Sequence, residues 1–114
     1  LQKNTNNIKI NFTMGNLKKN IDIHLHCQPS NEPITVLPHG QQIPDNYTMI
    51  GIGSYLDSLF TSTQEGTYEN IIRTAIEDAK AMGATLIYIA FVKGRDYGFG
   101  STCYQITCHF YKKQ

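Results

Sequence analysis

The fold is decided by residues 67–92, which read TYENIIRTAIEDAKAMGATLIYIAFV. The first part of this stretch repeats apolar residues at intervals of three and four, which is typical of one apolar stripe along an α-helix. Gly83 stands where a glycine commonly ends a helix, and the nearly continuous apolar residues after it are typical of a strand covered on both faces. The stretch therefore predicts a helix at about 67–82, with Thr67 as its N-cap, and a strand at 85–93.

The helix period also predicts which side chains the rest of the protein covers. Ala75 and Ala79 belong to the apolar stripe and are expected to be buried against a sheet. The charged residues around them fall outside the stripe and are expected to be exposed: Glu77, Asp78 and Lys80.

The N-terminal half predicts a hairpin followed by a loop. Apolar and polar residues alternate at 8–12 and 20–27, so these segments are expected to be two strands that pair with each other. All four prolines fall within residues 29–44, and proline donates no backbone hydrogen bond. This segment is therefore expected to be a loop, with only a brief strand at 34–37.

Two more strands complete the predicted sheet. Residues 47–56 are expected to form a strand in which two glycines indicate a bulge or a close backbone approach. Residues 94–100 are expected to be a flexible turn, and residues 102–111 the last strand.

The expected fold class is α+β, with a mixed β-sheet and one main helix packed on it. The strand at 47–56, the helix and the strand at 85–93 are expected to form a βαβ unit, and the last strand to return antiparallel beside its predecessor. A chain of 114 residues suits one domain, here residues 8–114. The polar residues 1–7 are expected to be a flexible tether.

Composition limits the classes of function. The formal net charge is +1 and no run of Lys and Arg exceeds two residues, so nucleic-acid binding is not expected. The longest apolar run, residues 86–92, is far shorter than the roughly twenty residues of a membrane-spanning helix, so no transmembrane segment is expected. Charged residues make up 17% of the chain, and neutral polar residues replace them, which favours a secreted or cell-envelope protein.

The start of the sequence bears on location. The chain begins at Leu1 without an initiator methionine, which we interpret as the mark of a removed signal peptide. A lipid anchor on a cysteine upstream of Leu1 is part of this hypothesis, with a location in the periplasm or at the outer membrane. A cytoplasmic protein is the alternative.

Residues 47–92 resemble known small bacterial domains. The motifs that carry the resemblance are Ile50-Gly51-Ile52 in a strand, Ala75-x-x-x-Ala79 in the helix and Gly83-Ala84-Thr85-x-Ile87 at the turn into the next strand. They resemble envelope domains related to the stress-sensing outer-membrane lipoprotein of the Rcs system, and YbjQ-type domains labelled as heavy-metal-binding. The resemblance implies the fold and a cell-envelope location, and it transfers no functional residue. The Rcs lipoprotein family implies two disulfides, which the three cysteines here cannot form.

His24 and His26 are the sharpest local feature. On a regular strand, imidazoles two residues apart leave the same face about 7 Å from each other. Such a pair can share a Zn²⁺ or Cu ion, with Asp22, His39 or His109 completing the ligand set. The alternative, which we favour, is the solvated polar face of an amphipathic strand with no bound cofactor.

The cysteines allow at most one disulfide. Cys103 and Cys108 are about 16–17 Å apart if they share one strand, which is too far for a bridge. Cys27 and Cys108 each align with the apolar residues of their strands, so a bridge, if one forms, is predicted to be Cys27–Cys108, with Cys103 free. The alternative is three reduced thiols that act as small core side chains.

These features together favour a non-enzymatic cell-envelope domain. No convergent set of acid, base and nucleophile is apparent, so we expect the domain to bind a protein partner, in assembly or in stress sensing. The strand at 34–37 is expected to be an exposed edge that accepts a partner strand. The alternatives are a metal-binding protein that uses His24 and His26, and a small hydrolase.

Overall fold

The computed structural model describes residues 7–59, 64–96 and 102–114. They form a mixed six-stranded sheet with one helix packed on it, which confirms the predicted α+β class. The elements in chain order are β1 (Ile8–Met14), β2 (Leu17–Ile23), β3 (Thr35–Leu37), β4 (Tyr47–Leu59), α1 (Gln64–Met82), β5 (Leu86–Asp96) and β6 (Thr102–Lys113). Apart from Asn7, the predicted tether lies outside the described residues.

The strand order is β1-β2-β4-β6-β5-β3. Both β4 and β5 pair antiparallel with β6, so they run parallel to each other with β6 between them. The elements β4, α1 and β5 therefore form the predicted βαβ unit, and β6 returns antiparallel beside β5 as predicted. β3 pairs parallel with β5 at one edge of the sheet, and β1 lies at the other edge.

β1 and β2 pair as predicted, through a shorter turn. Met14 is the register partner of Leu17, so only Gly15 and Asn16 form the turn. Gly15 has a φ of 60°, and a glycine with positive φ at the first central position is typical of a type II′ turn, whose twist suits a hairpin.

β4 and β5 extend further than predicted. The two glycines of β4 act as expected: the register shifts between Met49 and Gly51, and a Cβ on Gly53 would lie 2.8 Å from Cε2 of Phe110. β5 continues to Asp96, into the predicted turn at 94–100. Residues 97–100 of that turn lie outside the described residues.

The helix begins earlier than predicted. It starts at Gln64, so Thr67 lies about one turn inside it, and the prediction of Thr67 as N-cap is wrong. Thr67 is fully buried because it lies four residues before Ile71 on the face that meets the sheet. Within the described ranges, no helix combines the length and the apolar character that a membrane crossing requires.

The buried face of the helix is the predicted one, but its charged flank is not. Ala75 and Ala79 are fully buried, and Glu77 is exposed as predicted. Asp78 is only 15% exposed, because its carboxylate accepts hydrogen bonds from Tyr55 and Lys19. Lys80 is half-buried, so its predicted exposure is also wrong.

Ala79→Leu is expected to destabilise the protein by about 1–3 kcal/mol, because a larger side chain must force the helix away from the sheet. Urea denaturation measures this difference in the free energy of unfolding. The matched control is Glu77→Ala on the exposed side of the same helix, which is expected to change stability by less than about 0.5 kcal/mol. A neutral Ala79→Leu would contradict the helix register.

Candidate protein-binding surface

The two faces of the sheet differ in what covers them. α1 packs on β4, β5 and β6, and the side chains beneath it include the fully buried Tyr55, Ile106, Cys108 and Phe110. Successive strand residues point to opposite faces, so the residues between these belong to the other side of the sheet. We call that side the open face.

The open face has a polar and an apolar half. Its polar half lies on the β1–β2 hairpin and carries Lys9, Asn11, Thr13, Lys18 and Asn20. Its apolar half lies on β4, β6 and β5. We call this half the apolar patch and define it as Met49, Ile52, Leu56, Tyr88, Phe91, His109 and Tyr111.

Large side chains of the apolar patch meet solvent. Met49 is 37% exposed, Leu56 36% and Phe91 46%. Methionine and aromatic residues are enriched at the centres of protein–protein interfaces, because they supply much apolar contact area. The patch therefore has the chemical character of a protein-binding surface.

Three aromatic rings lie in a row on one side of the patch. The ring of Tyr88 lies 6.1 Å from that of His109 and 6.2 Å from that of His39, centroid to centroid. The Tyr88 hydroxyl also accepts a hydrogen bond from the N–H of Gly40 at 3.0 Å. These contacts hold the segment after β3 against the sheet and fix the orientation of the Tyr88 ring.

His109 and Tyr111 are uncharged at neutral pH. Burial lowers the pKa of His109, so its imidazole is mostly neutral near pH 7. Burial, with a smaller contribution from Tyr88, raises the pKa of Tyr111. A partner that covers the patch therefore has no charge to desolvate at these two side chains.

The structure places His24 and His26 in different surroundings. The predicted strand at 20–27 ends at Ile23, because the N–H groups of His24 and Leu25 both donate to the carbonyl of Ile50, at 2.7 and 3.2 Å. Two donors on one carbonyl break the regular ladder, so the two histidines do not leave one face of a strand as predicted. Nε2 of His24 lies 3.8 Å from Oδ2 of Asp22.

His26 lies on the helix side of the sheet instead. It lines a groove of about 240 Å³, together with Ile23 and with Asp78 and Met82 of the helix. Among the residues with described positions, no three His, Cys, Asp or Glu side chains form a group that would hold a metal ion. The metal pair of His24 and His26 stays a prediction, without the shared strand face on which it was based.

Of the other predicted ligands, Asp22 lies beside His24, whereas His109 lies two strands away on β6. Asp22 is the register partner of Ile52, and Ile52 is that of His109, so one strand separates the two polar residues. Two strand spacings correspond to about 10 Å, which is too far for Asp22 and His109 to share an ion without rearrangement. Oδ1 of Asp22 is buried and lacks a hydrogen-bond partner among the described residues.

Cys27 and Cys108 are both free cysteines, so the predicted bridge between them is absent from the structure. Cys108 is fully buried in the middle of β6, opposite Gly53, whereas Cys27 packs near Gly83 at the end of the helix. The strand 20–27 that would have aligned Cys27 with the core ends at Ile23. The side chain of Cys103 lies outside the described residues.

The brief strand predicted at 34–37 is present as β3 and forms an edge of the sheet. It has only three residues, and a partner strand added there would gain few backbone hydrogen bonds. The apolar patch extends over three strands, whereas β3 offers only three residues.

Sequence reasoning missed the apolar patch. The apolar run at 86–92 was expected to be covered on both faces, but Phe91 is 46% and Val92 41% exposed. The register shifts between Ile89 and Phe91, so the end of the run leaves the buried pattern. The sequence did contain a signal for an uncovered face, since it predicts a single helix and one helix covers only one face of a sheet.

Comparison of the chain with family models, with curated proteins and with solved structures gave no match in any of the three cases.

Proposed function

We propose that this chain is a non-enzymatic domain of the bacterial cell envelope, in the periplasm or at the outer membrane. It binds a protein partner through the apolar patch, in assembly or in stress sensing. The observation that carries the proposal is the exposure of Met49, Leu56 and Phe91 on the same, open face of the sheet.

The chemistry of the patch supports a protein partner. Exposed apolar side chains that share a face are typical of an interaction site, and here the polar Ser54, Gln105 and Thr107 lie among them. The patch spans three neighbouring strands, so its shape is fixed by the sheet rather than by mobile loops. A preorganised surface of this kind loses little conformational entropy when a partner docks.

The state of the two described thiols supports a role without catalysis. Burial, reinforced by the negative charge of Asp78, raises the pKa of the Cys108 thiol to about 12. A thiol that keeps its proton at neutral pH is a poor nucleophile. The Cys27 thiol is directed towards the carbonyl of Leu25, at 3.8 Å, and not towards a histidine that would activate it.

The envelope location is supported by the resemblance of residues 47–92 to envelope lipoprotein domains and by the low content of charged residues, 17%. Fractionation of bacteria that express the complete gene tests this part of the proposal. Recovery in the periplasm or with the outer membrane is expected. Recovery in the cytoplasm alone would overturn the location and leave the binding surface to be tested separately.

A photo-crosslinking amino acid at Thr107 is expected to give one discrete crosslinked species in intact cells. Thr107 is the register partner of Phe91 and lies beside the apolar patch. The matched control is the same amino acid at Asn20, on the polar half of the open face, where no such species is expected. Electrophoresis followed by mass spectrometry measures both.

The substitution Phe91→Asp is expected to abolish the Thr107 crosslink, because it buries an unpaired charge in the interface. Phe12→Asp lies on the opposite side of the sheet and is expected to leave the crosslink unchanged. A crosslink that survives Phe91→Asp would show that the patch is not the binding surface.

A further inference from the structure

β1 is an edge strand without the usual protection. It pairs with β2 on one side, and no described strand pairs with its other side. Natural edge strands are commonly shortened, or blocked by several charges or by proline. β1 has seven residues with one charge, Lys9, and no proline.

One side of β1 carries a continuous apolar row. Ile8, Ile10, Phe12 and Met14 alternate along the strand, so they share one face, and they are 38%, 39%, 46% and 64% exposed. We call these four residues the β1 row. Ile8 and Ile10 line the groove beside the helix, where Ile21 and Met82 continue the apolar surface.

We propose that the β1 row is the contact surface of a symmetric dimer, in which β1 pairs antiparallel with β1 of a second copy. The two-fold axis passes between Asn11 of one copy and Asn11 of the other. This register places Ile10 opposite Phe12 of the second copy, Ile8 opposite Met14, and Lys9 opposite Thr13. The two sheets become one continuous sheet with both helices on the same side.

The sequence of β1 is complementary to itself in this register. A two-fold interface requires that one surface fits its own copy. Every residue of the β1 row meets another apolar residue, and the two lysines are separated because each meets a threonine. A slip by one residue would place the β1 row of one copy opposite the polar residues of the other.

The free backbone groups of β1 favour the same pairing. Met14 and Leu17 flank the two-residue turn as register partners, and hydrogen-bonded and non-hydrogen-bonded pairs alternate from there along an antiparallel ladder. We infer that Lys9, Asn11 and Thr13 direct their N–H and C=O groups outward, towards the second copy. The apolar residues then fall in non-hydrogen-bonded pairs, whose side chains lie closer together.

Charge substitutions at Asn11 test the dimer, because Asn11 meets its own copy at the axis. Sedimentation velocity of the purified chain, at concentrations from about 10 to about 500 µM, is expected to show a monomer–dimer equilibrium, as suits an interface of modest area. Asn11→Lys and Asn11→Glu are each expected to weaken dimerisation at least about tenfold, since like charges directly opposite are destabilising. An equimolar mixture of the two variants is expected to restore the dimer, now as a heterodimer with Glu opposite Lys.

The matched control is Asn20→Lys, because Asn20 is the register partner of Asn11 on β2 and lies one strand further from the axis. It is expected to dimerise as the original chain does. A monomeric original chain at the highest concentration would overturn the proposal. Tighter dimerisation of Asn11→Glu alone would also overturn it, since that result requires a register in which residue 11 meets Lys9.

Discussion

Gly83→Ala is expected to destabilise the protein more than a methyl group added at any other glycine whose surroundings the structure describes. Gly83 has a φ of 85°, a conformation that costs a residue with a side chain about 1–3 kcal/mol. A Cβ at this position would also meet the backbone oxygen of Gln28 and lie 2.8 Å from Cβ of Cys27, which adds about 1–3 kcal/mol of overpacking. Chemical denaturation of both proteins measures the loss.

The helix end explains why the backbone cannot simply move away. The N–H of Ala84 donates to the carbonyl of Ala79 at 2.8 Å, and the N–H of Gly83 to that of Lys80 at 3.2 Å. This pair of bonds is a Schellman motif, which requires the left-handed conformation at Gly83. The carbonyl of Lys80 also accepts a bond from the N–H of Ser30 at 2.9 Å, so the same turn anchors the segment after β2.

Gly40→Ala is the matched control for Gly83→Ala. Gly40 has a similar φ of 90°, and a Cβ there would meet no atom within 4 Å. The control therefore reports the conformational cost alone, and the difference between the two substitutions reports the contact with residues 27 and 28. Equal losses for the two variants would show that this contact does not constrain the helix end.

Asp78→Ala is expected to reduce stability by about 2–4 kcal/mol, because it leaves two partners without their acceptor. The hydroxyl of Tyr55 donates to Oδ2 of Asp78, and Nζ of Lys19 donates to Oδ1, both at 2.8 Å. Tyr55 is fully buried, so its hydroxyl cannot turn to water. Burial and the charge of Asp78 also raise the pKa of Tyr55, so the hydroxyl keeps its proton and its need for an acceptor.

A double-mutant cycle isolates the contribution of the tyrosine. Tyr55→Phe removes the hydroxyl while the pair of Lys19 and Asp78 remains, and a loss of about 1 kcal/mol is expected. In the Tyr55→Phe background, Asp78→Ala is expected to cost less than it does alone, since no buried hydroxyl is left unpaired. Additive losses would mean that Tyr55 does not depend on Asp78. Thermal or urea denaturation of the four proteins supplies the measurements.

Local patterns predicted the elements that depend on local chemistry. The stripe through Ala75 and Ala79, the glycine at the helix end and the position of the last strand each depend on a short stretch of sequence. The structure confirms all three. Asp78 could not be predicted in the same way, because its burial depends on Tyr55 and Lys19, which lie on two different strands. No periodicity within the helix contains that information.

The apolar patch could not be predicted from the sequence, for a similar reason. Phe91 belongs to a run of apolar residues that is typical of a fully covered strand, and only the register shift in β5 turns it towards solvent. The bond from both His24 and Leu25 to Ile50 likewise ends β2 at a place where alternation of residue types continues. Irregularities of pairing between distant strands decide both cases.

The position of β6 between β4 and β5 also sets the order in which the molecule can fold. β6 is the last described element in the chain, yet it joins the two halves of the sheet, β1-β2-β4 and β5-β3. Until Thr102–Lys113 is in place, the two halves have no strand in common and the edges of β4 and β5 remain open. Pairing of such distant segments is slow, and intermediates with open edges are prone to aggregate. Loss of β6 residues near the C-terminus would therefore leave an unfinished fold, in contrast to the tolerance of most proteins for trimming at their ends.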